Sequence, residues 1–284
     1  MFRTYYYLTK PGIIYGNLLT TAAGFFLASS HFINLITFVA VMVGTGCIIA
    51  AACVCNNYMD REIDAKMERT KKRGFVTGKV STRNGFIFAA ILGFIGIFLL
   101  LTYTNFLTLI IGVIGFIDYV FLYGITKRRT IHGTLVGGIS GATPIVAGYT
   151  AVTNSFDLGA FLLFLILMFW QMPHFYAIAI FRLKDYAEAG LPVFPVKKGI
   201  ALTKVHMIVY LIGFIVSSLL LPLTKMTGTV YIIVMLLING YWLWLSIQGF
   251  NTKDTVAWAR KMFFISLITL TTFSILLIGT VVLP

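Results

Sequence analysis

Long apolar runs recur along this chain, and their length restricts its fold more than any other feature. A helix needs roughly 17–25 apolar residues to cross the hydrocarbon core of a bilayer. The hydrophobic residues make up 59% of the chain and the charged residues only 11%, whereas about 25% of an ordinary soluble domain is charged. We therefore predict an all-α integral membrane protein with nine transmembrane helices, at Gly12–Ser29, Asn34–Tyr58, Asn84–Tyr103, Phe106–Ile125, Thr134–Thr153, Leu158–Phe181, Val205–Leu223, Gly228–Gln248 and Met262–Leu283.

The basic residues fall on one side of these runs. All but Lys225 of the 22 Lys and Arg residues lie before the first run or in the connections after the second, fourth, sixth and eighth runs. The positive-inside rule then predicts a cytoplasmic N-terminus, with these connections on the cytoplasmic face. We expect the membrane to be the plasma membrane. The net charge of +13 mostly reflects topology, so we expect a lipid bilayer and no nucleic acid as a partner. We expect one domain over residues 1–284.

An acidic motif closes the second run. Asn56, Asp60 and Asp64 are spaced i, i+4, i+8, which places the three side chains in one stripe on a helix. Carboxylates at a helix C-terminus are disfavoured without a cation, and Mg²⁺ is held by one or two carboxylates with phosphates and waters. The motif therefore predicts a Mg²⁺–diphosphate site, supported by the cations that follow it, Lys66, Arg69, Lys71, Lys72 and Arg73. For Glu62 and Glu68 we prefer a solvated loop.

A second acidic motif follows the sixth run. Asp185 and Glu188 are spaced i, i+3 and can share a helical face, so they are candidates for a second metal-binding position. Gln171 and His174 lie within the run and should face the bundle interior, because polar groups facing lipid are costly. For His174, a helix–helix hydrogen bond and a substrate contact are equally consistent with the sequence.

Two features of the fourth run have open interpretations. Lys127, Arg128 and Arg129 follow it directly; they are either topology determinants, which is the usual explanation, or a clamp for the diphosphate. Asp118 lies inside the run, and an intramembrane acid is a functional candidate by default. We assign Asp118 no role.

Taken together, the motifs resemble those of the protohaem IX farnesyltransferases (haem O synthases), a branch of the UbiA-type superfamily of intramembrane prenyltransferases. The superfamily shares the NxxxDxxxD stripe, whereas the haem-modifying branch is marked by WQMPHF at Trp170–Phe175 and FRLKDY at Phe181–Tyr186. The other matching segments are Thr9–Gly12, Lys66–Thr70, Lys127–Arg128, His132–Gly133 and Pro192–Val196. One departure concerns the second motif, usually DxxxD, because Ala189 stands four residues after Asp185 and Glu188 comes one residue early.

The resemblance implies nine helices around a central cavity and transfer of a farnesyl group from farnesyl diphosphate to a vinyl group of haem B. Water is added, and the products are haem O and diphosphate. The metal and catalytic residues implied for Mg²⁺ are Asn56, Asp60, Asp64 and Asp185. The residues implied for the diphosphate are Arg69, Lys72, Lys127, Arg128, Arg182 and Lys184. The residues implied for haem or the cavity are Tyr123, Trp170, Gln171 and His174. A downstream haem-modifying enzyme or terminal oxidase is a possible partner.

Three alternatives remain open at this level. The same chemistry could act on an aromatic quinone precursor, although the WQMPHF segment favours haem by resemblance. An ion-coupled transporter would place its acids near the bilayer midplane, whereas all the acids except Asp118 and Asp157 lie at the predicted cytoplasmic side. A structural assembly subunit would leave the aligned acids unexplained.

Overall fold

The computed structural model describes residues 2–29 and 32–279, and all the regular secondary structure in these residues is helical. A π-helical turn, Asp118–Leu122, joins α6 to α7, and a 3₁₀ turn, Leu221–Thr224, follows α12. The helices are α1 Phe2–Leu8, α2 Pro11–Ala28, α3 Leu35–Met59, α4 Arg61–Asp64, α5 Thr82–Tyr103, α6 Phe106–Ile117, α7 Tyr123–Arg129, α8 Gly133–Thr153, α9 Leu158–Phe181, α10 Leu183–Glu188, α11 Phe194–Lys198, α12 Ile200–Leu220, α13 Thr229–Gln248 and α14 Thr255–Gly279.

The prediction of nine long apolar helices is confirmed for the described residues. Nine segments are long and apolar enough to cross a membrane, with α6, the π turn and α7 forming one of them. Three boundaries differ from the predicted ones by four residues or more: the fourth segment continues to Arg129, α12 begins at Ile200, and α14 begins at Thr255. Helical hydrogen bonding continues past the apolar residues, and long basic side chains can reach the polar boundary from there. Residues 280–283 of the ninth predicted run lie outside the described residues.

Helices α2 and α8 approach each other closely because glycines face backbone on both sides. A Cβ atom at Gly24 would lie 2.0 Å from Ile145 O, and one at Gly148 would lie 1.9 Å from Thr21 O. Small residues allow this backbone approach, which is how helices associate in a membrane where burial of apolar surface gives little advantage. The pair α2 and α8 forms one wall of the bundle.

Helix α9 lies at the centre of the larger packed cluster. It packs against α8, α12 and α14, and its Leu163, Ile166 and Met172 are fully buried. A smaller cluster joins α2, α3, α5 and α6 through Phe25, Val41 and other apolar side chains. The outer faces carry many exposed large apolar side chains, as a bundle solvated by lipid requires.

Successive long helices run in opposite directions, so the connections after even-numbered spans lie at one end, with α1. This end, which we call the basic end, comprises residues 2–10, 60–81, 130–132, 182–199 and 249–254. It contains both acidic motifs. The fold therefore brings the two motifs to the same end of the bundle, as their positions in the sequence predict.

Candidate active site

A cavity of about 420 Å³ extends between α2, α3, α8, α9 and α14 and reaches the basic end. Apolar and small residues form most of its wall. Among its polar lining residues are all four of those predicted for haem or the cavity, Tyr123, Trp170, Gln171 and His174. Tyr119 and Lys127 also line it.

The first acidic motif keeps its spacing across a break in the helix. Helix α3 ends at Met59, and α4 begins at Arg61, so a one-residue break at Asp60 interrupts the helix that carries the motif. The Asp60 N–H still donates to Asn56 O at 2.9 Å, and the Asp64 N–H donates to Asp60 O at 2.7 Å. These bonds extend the i, i+4 register through the turn, so the three side chains remain one helical turn apart.

Asp60 is bound by two cations from the end of the fourth span. Lys127 Nζ lies 2.5 Å from Asp60 Oδ2, and Arg128 Nη2 lies 3.1 Å from Oδ1. Arg128 also donates to Met59 O. Lys127 and Arg128 therefore do more than mark topology: they join the acidic motif of α3 to the helix that lines the cavity.

The other two residues of the motif are also held by cations, one of which, Lys10, sequence reasoning did not assign to the site. Asp64 is 2% exposed, and its Oδ2 lies 2.6 Å from Arg73 Nη1. Lys10 Nζ donates to Asn56 Oδ1 at 2.7 Å. Each oxygen ligand of the predicted metal site is therefore bonded to a basic side chain.

Lys10 is carried to the site by the joint between α1 and α2. Its backbone is left-handed, with φ of 53°, and Asn57 Nδ2 fixes the joint by donating to Leu8 O at 2.6 Å. Burial lowers the pKa of Lys10 from 10.5 to about 8, and its Nζ also donates to Tyr119 OH at 3.2 Å. The Lys-Pro pair before the first apolar run was the available signal, but 46 residues separate Lys10 from its partner.

The residues present fit Mg²⁺ that shares a diphosphate. Within the described ranges, no three His, Cys, Asp or Glu side chains are grouped closely enough to hold a metal by themselves. Asn56, Asp60 and Asp64 offer hard oxygen donors, and a Mg²⁺ site usually needs phosphate and water to complete it. Asn56 Nδ2 is buried without a hydrogen-bond partner in the described chain, which a phosphate oxygen could supply.

The two acids of the second motif are not part of a group of three acids in the described part of the chain. Asp185 Oδ2 lies 3.6 Å from Arg182 Nη1, and Glu188 pairs with Lys184 at 3.9 Å. Between these pairs, Tyr186 lines the cavity. Burial raises the pKa of Tyr186, while nearby Arg69 lowers it. Helix α10 therefore reaches the cavity through Tyr186.

The predicted diphosphate cations are not all brought together. Lys127 and Arg128 bind the acidic motif, and Arg69 lies close enough to affect Tyr186. Lys72 and Lys184 are exposed. Arg182 lines a separate cleft with Phe181, Arg260, Phe263 and Phe264.

The polar residues of α9 make contacts across the bundle. Gln171 Nε2 donates to Gly138 O at 3.1 Å, and a Cβ at Gly141 would lie 1.9 Å from Gln171 Oε1. His174 Nδ1 lies 2.7 Å from Ser266 Oγ of α14. The helix–helix hydrogen bond expected for His174 is therefore present, and the substrate contact stays a prediction for a residue that also lines the cavity.

Asp118 begins the π turn and accepts a hydrogen bond from the neighbouring helix α8. Asp118 is 1% exposed, and its Oδ2 accepts the Ser140 N–H of α8 at 3.0 Å. On the cavity side of the same turn, the rings of Tyr119 and Tyr123 stack with centroids 5.5 Å apart, and Lys127 Nζ lies 4.7 Å from the Tyr123 centroid. Asp118 thus anchors the turn that presents these three side chains.

Comparison with known proteins decides the family. The sequence profile of the UbiA prenyltransferase family matches residues 17–268. The chain belongs to the UbiA prenyltransferase family. Protoheme IX farnesyltransferase 2 of Pseudomonas fluorescens is 47% identical over 271 residues, which cover 95% of this chain and 92% of the relative. Protoheme IX farnesyltransferase of Edwardsiella ictaluri is 44% identical, covering 98% of this chain and 94% of the relative.

Solved structures of UbiA proteins have the same fold. Digeranylgeranylglyceryl phosphate synthase superposes with a TM-score of 0.80 at 20% identity, covering 98% of this chain and 99% of that one. A UbiA homolog from Archaeoglobus fulgidus, solved with DMAPP and Mg²⁺, gives 0.75 at 15% identity, covering 97% and 99%. These likenesses confirm the fold, and with the nine apolar helices they indicate a multi-pass membrane protein. The Archaeoglobus structure also supports the use of Mg²⁺ in this family.

Proposed function

We propose that this UbiA protein transfers the farnesyl group of farnesyl diphosphate to a vinyl group of haem B, with addition of water, giving haem O and diphosphate. The observation that carries the proposal is the position of Lys127. This side chain lines the apolar cavity, and its Nζ lies 2.5 Å from Asp60 Oδ2. An acid–cation cluster that can hold a diphosphate is therefore continuous with a cavity that can hold an isoprenoid chain.

The diphosphate is bound where the first acidic motif meets its cations. Asn56, Asp60 and Asp64 would hold Mg²⁺, with Asp185 as a further ligand, and the bound ion would neutralise charge on the diphosphate oxygens. The cations nearest the motif are Lys10, Arg73, Lys127 and Arg128. Of the other predicted cations, Arg69 approaches the diphosphate beside Tyr186, whereas Lys72, Arg182 and Lys184 act only from a greater distance, because they are exposed or line a separate cleft.

The basic side chains lower the barrier by stabilising charge that grows on the leaving group. As the allylic C–O bond breaks, its electron pair passes to the diphosphate, and fixed cations stabilise that charge most strongly where water is excluded. The apolar cavity wall protects the farnesyl cation from water. The vinyl π electrons of haem then form the new C–C bond, and water adds to the resulting cation and loses a proton.

The haem acceptor occupies the part of the cavity lined by Tyr123, Trp170, Gln171 and His174. His174 is the strongest candidate for a ligand to the haem iron, because imidazole is a usual protein ligand of haem. An aromatic quinone precursor would need no such ligand. The names of the relatives from Pseudomonas and Edwardsiella also favour haem as the acceptor.

The basic end faces the cytoplasm in this proposal, and the membrane is the plasma membrane. An excess of Lys and Arg in short connections sets the orientation of a polytopic protein, and all but Lys225 of the 22 basic residues lie at or near this end. The N-terminus is then cytoplasmic, and residues 1–284 act as one domain. Haem O leaves for a downstream haem-modifying enzyme or terminal oxidase.

Product analysis with the purified protein in detergent tests the function. With haem B, farnesyl diphosphate and Mg²⁺, mass spectrometry should find a hydroxyethylfarnesyl haem whose formation stops with a chelator. Asp64→Asn should form none, whereas Glu62→Gln, at an exposed acid two residues away, should retain activity. Prenylation of a quinone precursor instead of haem would show that haem is not the acceptor. The absence of any transfer would overturn the proposal.

A further inference from the structure

Ser266 makes a pair of polar contacts deep in the bundle that sequence patterns did not indicate. It is fully buried on α14. Its backbone oxygen accepts Trp170 Nε1–H at 2.8 Å, and its Oγ lies 2.7 Å from His174 Nδ1. Trp170 and His174 are four residues apart on α9, and their rings stack with centroids 4.8 Å apart. One serine therefore fixes two of the aromatic side chains of the cavity wall.

The hydrogen bonds of Ser266 determine which ring nitrogen of His174 carries the proton. Ser266 Oγ lies 2.6 Å from Phe263 O, and a carbonyl oxygen can only accept, so the single hydroxyl proton is used in that bond. Ser266 Oγ must then accept from His174, which makes Nδ1 the donor. A neutral imidazole has one ring proton. Its Nε2 atom therefore carries a lone pair.

The remaining edge of the His174 ring is left for the cavity. The Nδ1 edge faces α14, and one ring face lies on Trp170. His174 lines the cavity, and no hydrogen bond to its Nε2 occurs among residues 2–29 and 32–279. The lone pair is thus available to a ligand in the cavity. Histidines that bind metals usually donate their other N–H to a partner that fixes the tautomer and orientation.

We propose that Ser266 is a positioning residue that holds His174 in the Nδ1–H tautomer, with the Nε2 lone pair directed at the iron of the haem acceptor. The inference rests on the proposed haem function. Ser266 acts through His174 and does not contact the diphosphate site. Its loss should therefore weaken the binding of haem and leave the use of farnesyl diphosphate unchanged.

Optical titration of the purified protein with ferric haem tests the proposal. The wild type should give the absorption spectrum of a histidine-ligated haem. Ser266→Ala should weaken haem binding roughly 10- to 100-fold, the usual effect of removing a residue that orients a metal ligand. The KM for farnesyl diphosphate should not change. Ser274→Ala is the matched control, because Ser274 is also buried on α14 but its Oγ has no hydrogen-bond partner in the described chain.

Two further variants separate positioning from packing. Ser266→Thr and Ser266→Val have the same shape, so only the threonine variant should retain the wild-type spectrum and affinity. In His174→Ala, added imidazole should restore the ligated spectrum, and Ser266→Val should then cause no further loss. Equal haem binding by the threonine and valine variants would overturn the role of Ser266. An unchanged spectrum in His174→Ala would instead remove the iron ligand on which the inference rests.

Discussion

Replacing Lys10 by Met should slow the reaction without unfolding the protein. The substitution keeps most of the length of the side chain but removes the ammonium that donates to Asn56 Oδ1 at 2.7 Å and to Tyr119 OH at 3.2 Å. A hydrogen bond to a charged group contributes about 1.5–3 kcal/mol. If this contribution is made to the developing diphosphate charge, kcat/KM for farnesyl diphosphate should fall about 10- to 150-fold, at roughly 1.4 kcal/mol for each factor of ten.

Steady-state kinetics with farnesyl diphosphate varied at saturating haem would measure this effect. Lys79→Met provides the matched control, because Lys79 is an exposed lysine at the same end of the bundle. The KM for haem should stay the same in both variants, and the unfolding temperature should remain close to wild type because Asn57 still holds Leu8 O. A Lys10→Met enzyme with kcat/KM within about twofold of the control would refute an electrostatic role for Lys10.

Three further substitutions have distinct expected outcomes. Asp60→Asn should abolish product formation. Membrane fractionation should show that this variant still inserts into the membrane. Gly24→Ala should lower stability by about 1–3 kcal/mol, since its Cβ would lie 2.0 Å from a backbone oxygen of α8; Gly240→Ala, with open space around it, should show no change in unfolding temperature. Lys204→Met removes the bond from Nζ to Gly249 O, 2.6 Å long, and should lower the unfolding temperature but leave turnover per folded molecule unchanged.

The fold was predictable from sequence because lipid imposes a simple rule on every span. Each crossing must be a helix that satisfies its own backbone, and it must be apolar over a fixed length. The ends were less predictable. Helix α14 begins at Thr255 and includes Arg260 and Lys261, because hydrogen bonding along a helix does not stop where the apolar residues stop.

The site was predictable only where its residues are close in sequence. Asn56, Asp60 and Asp64 follow a helical spacing that their backbone bonds preserve. The contacts from Lys10 and Lys127 join residues 46 and 67 positions away, and no local pattern reports such distances. Ser266 was not predictable at all, because a serine within an apolar run is also common as a small packing residue.

The position of a bound metal tests the central claim most directly. The protein should be crystallised with Mn²⁺ in place of Mg²⁺ and with a farnesyl diphosphate analogue that resists ionisation, and anomalous scattering should be used to locate the ion. We expect a peak beside the oxygens of Asn56, Asp60 and Asp64, with the diphosphate next to it and the farnesyl chain in the cavity beside Lys127. A peak beside Asp118, or a diphosphate bound away from the first acidic motif, would contradict the account.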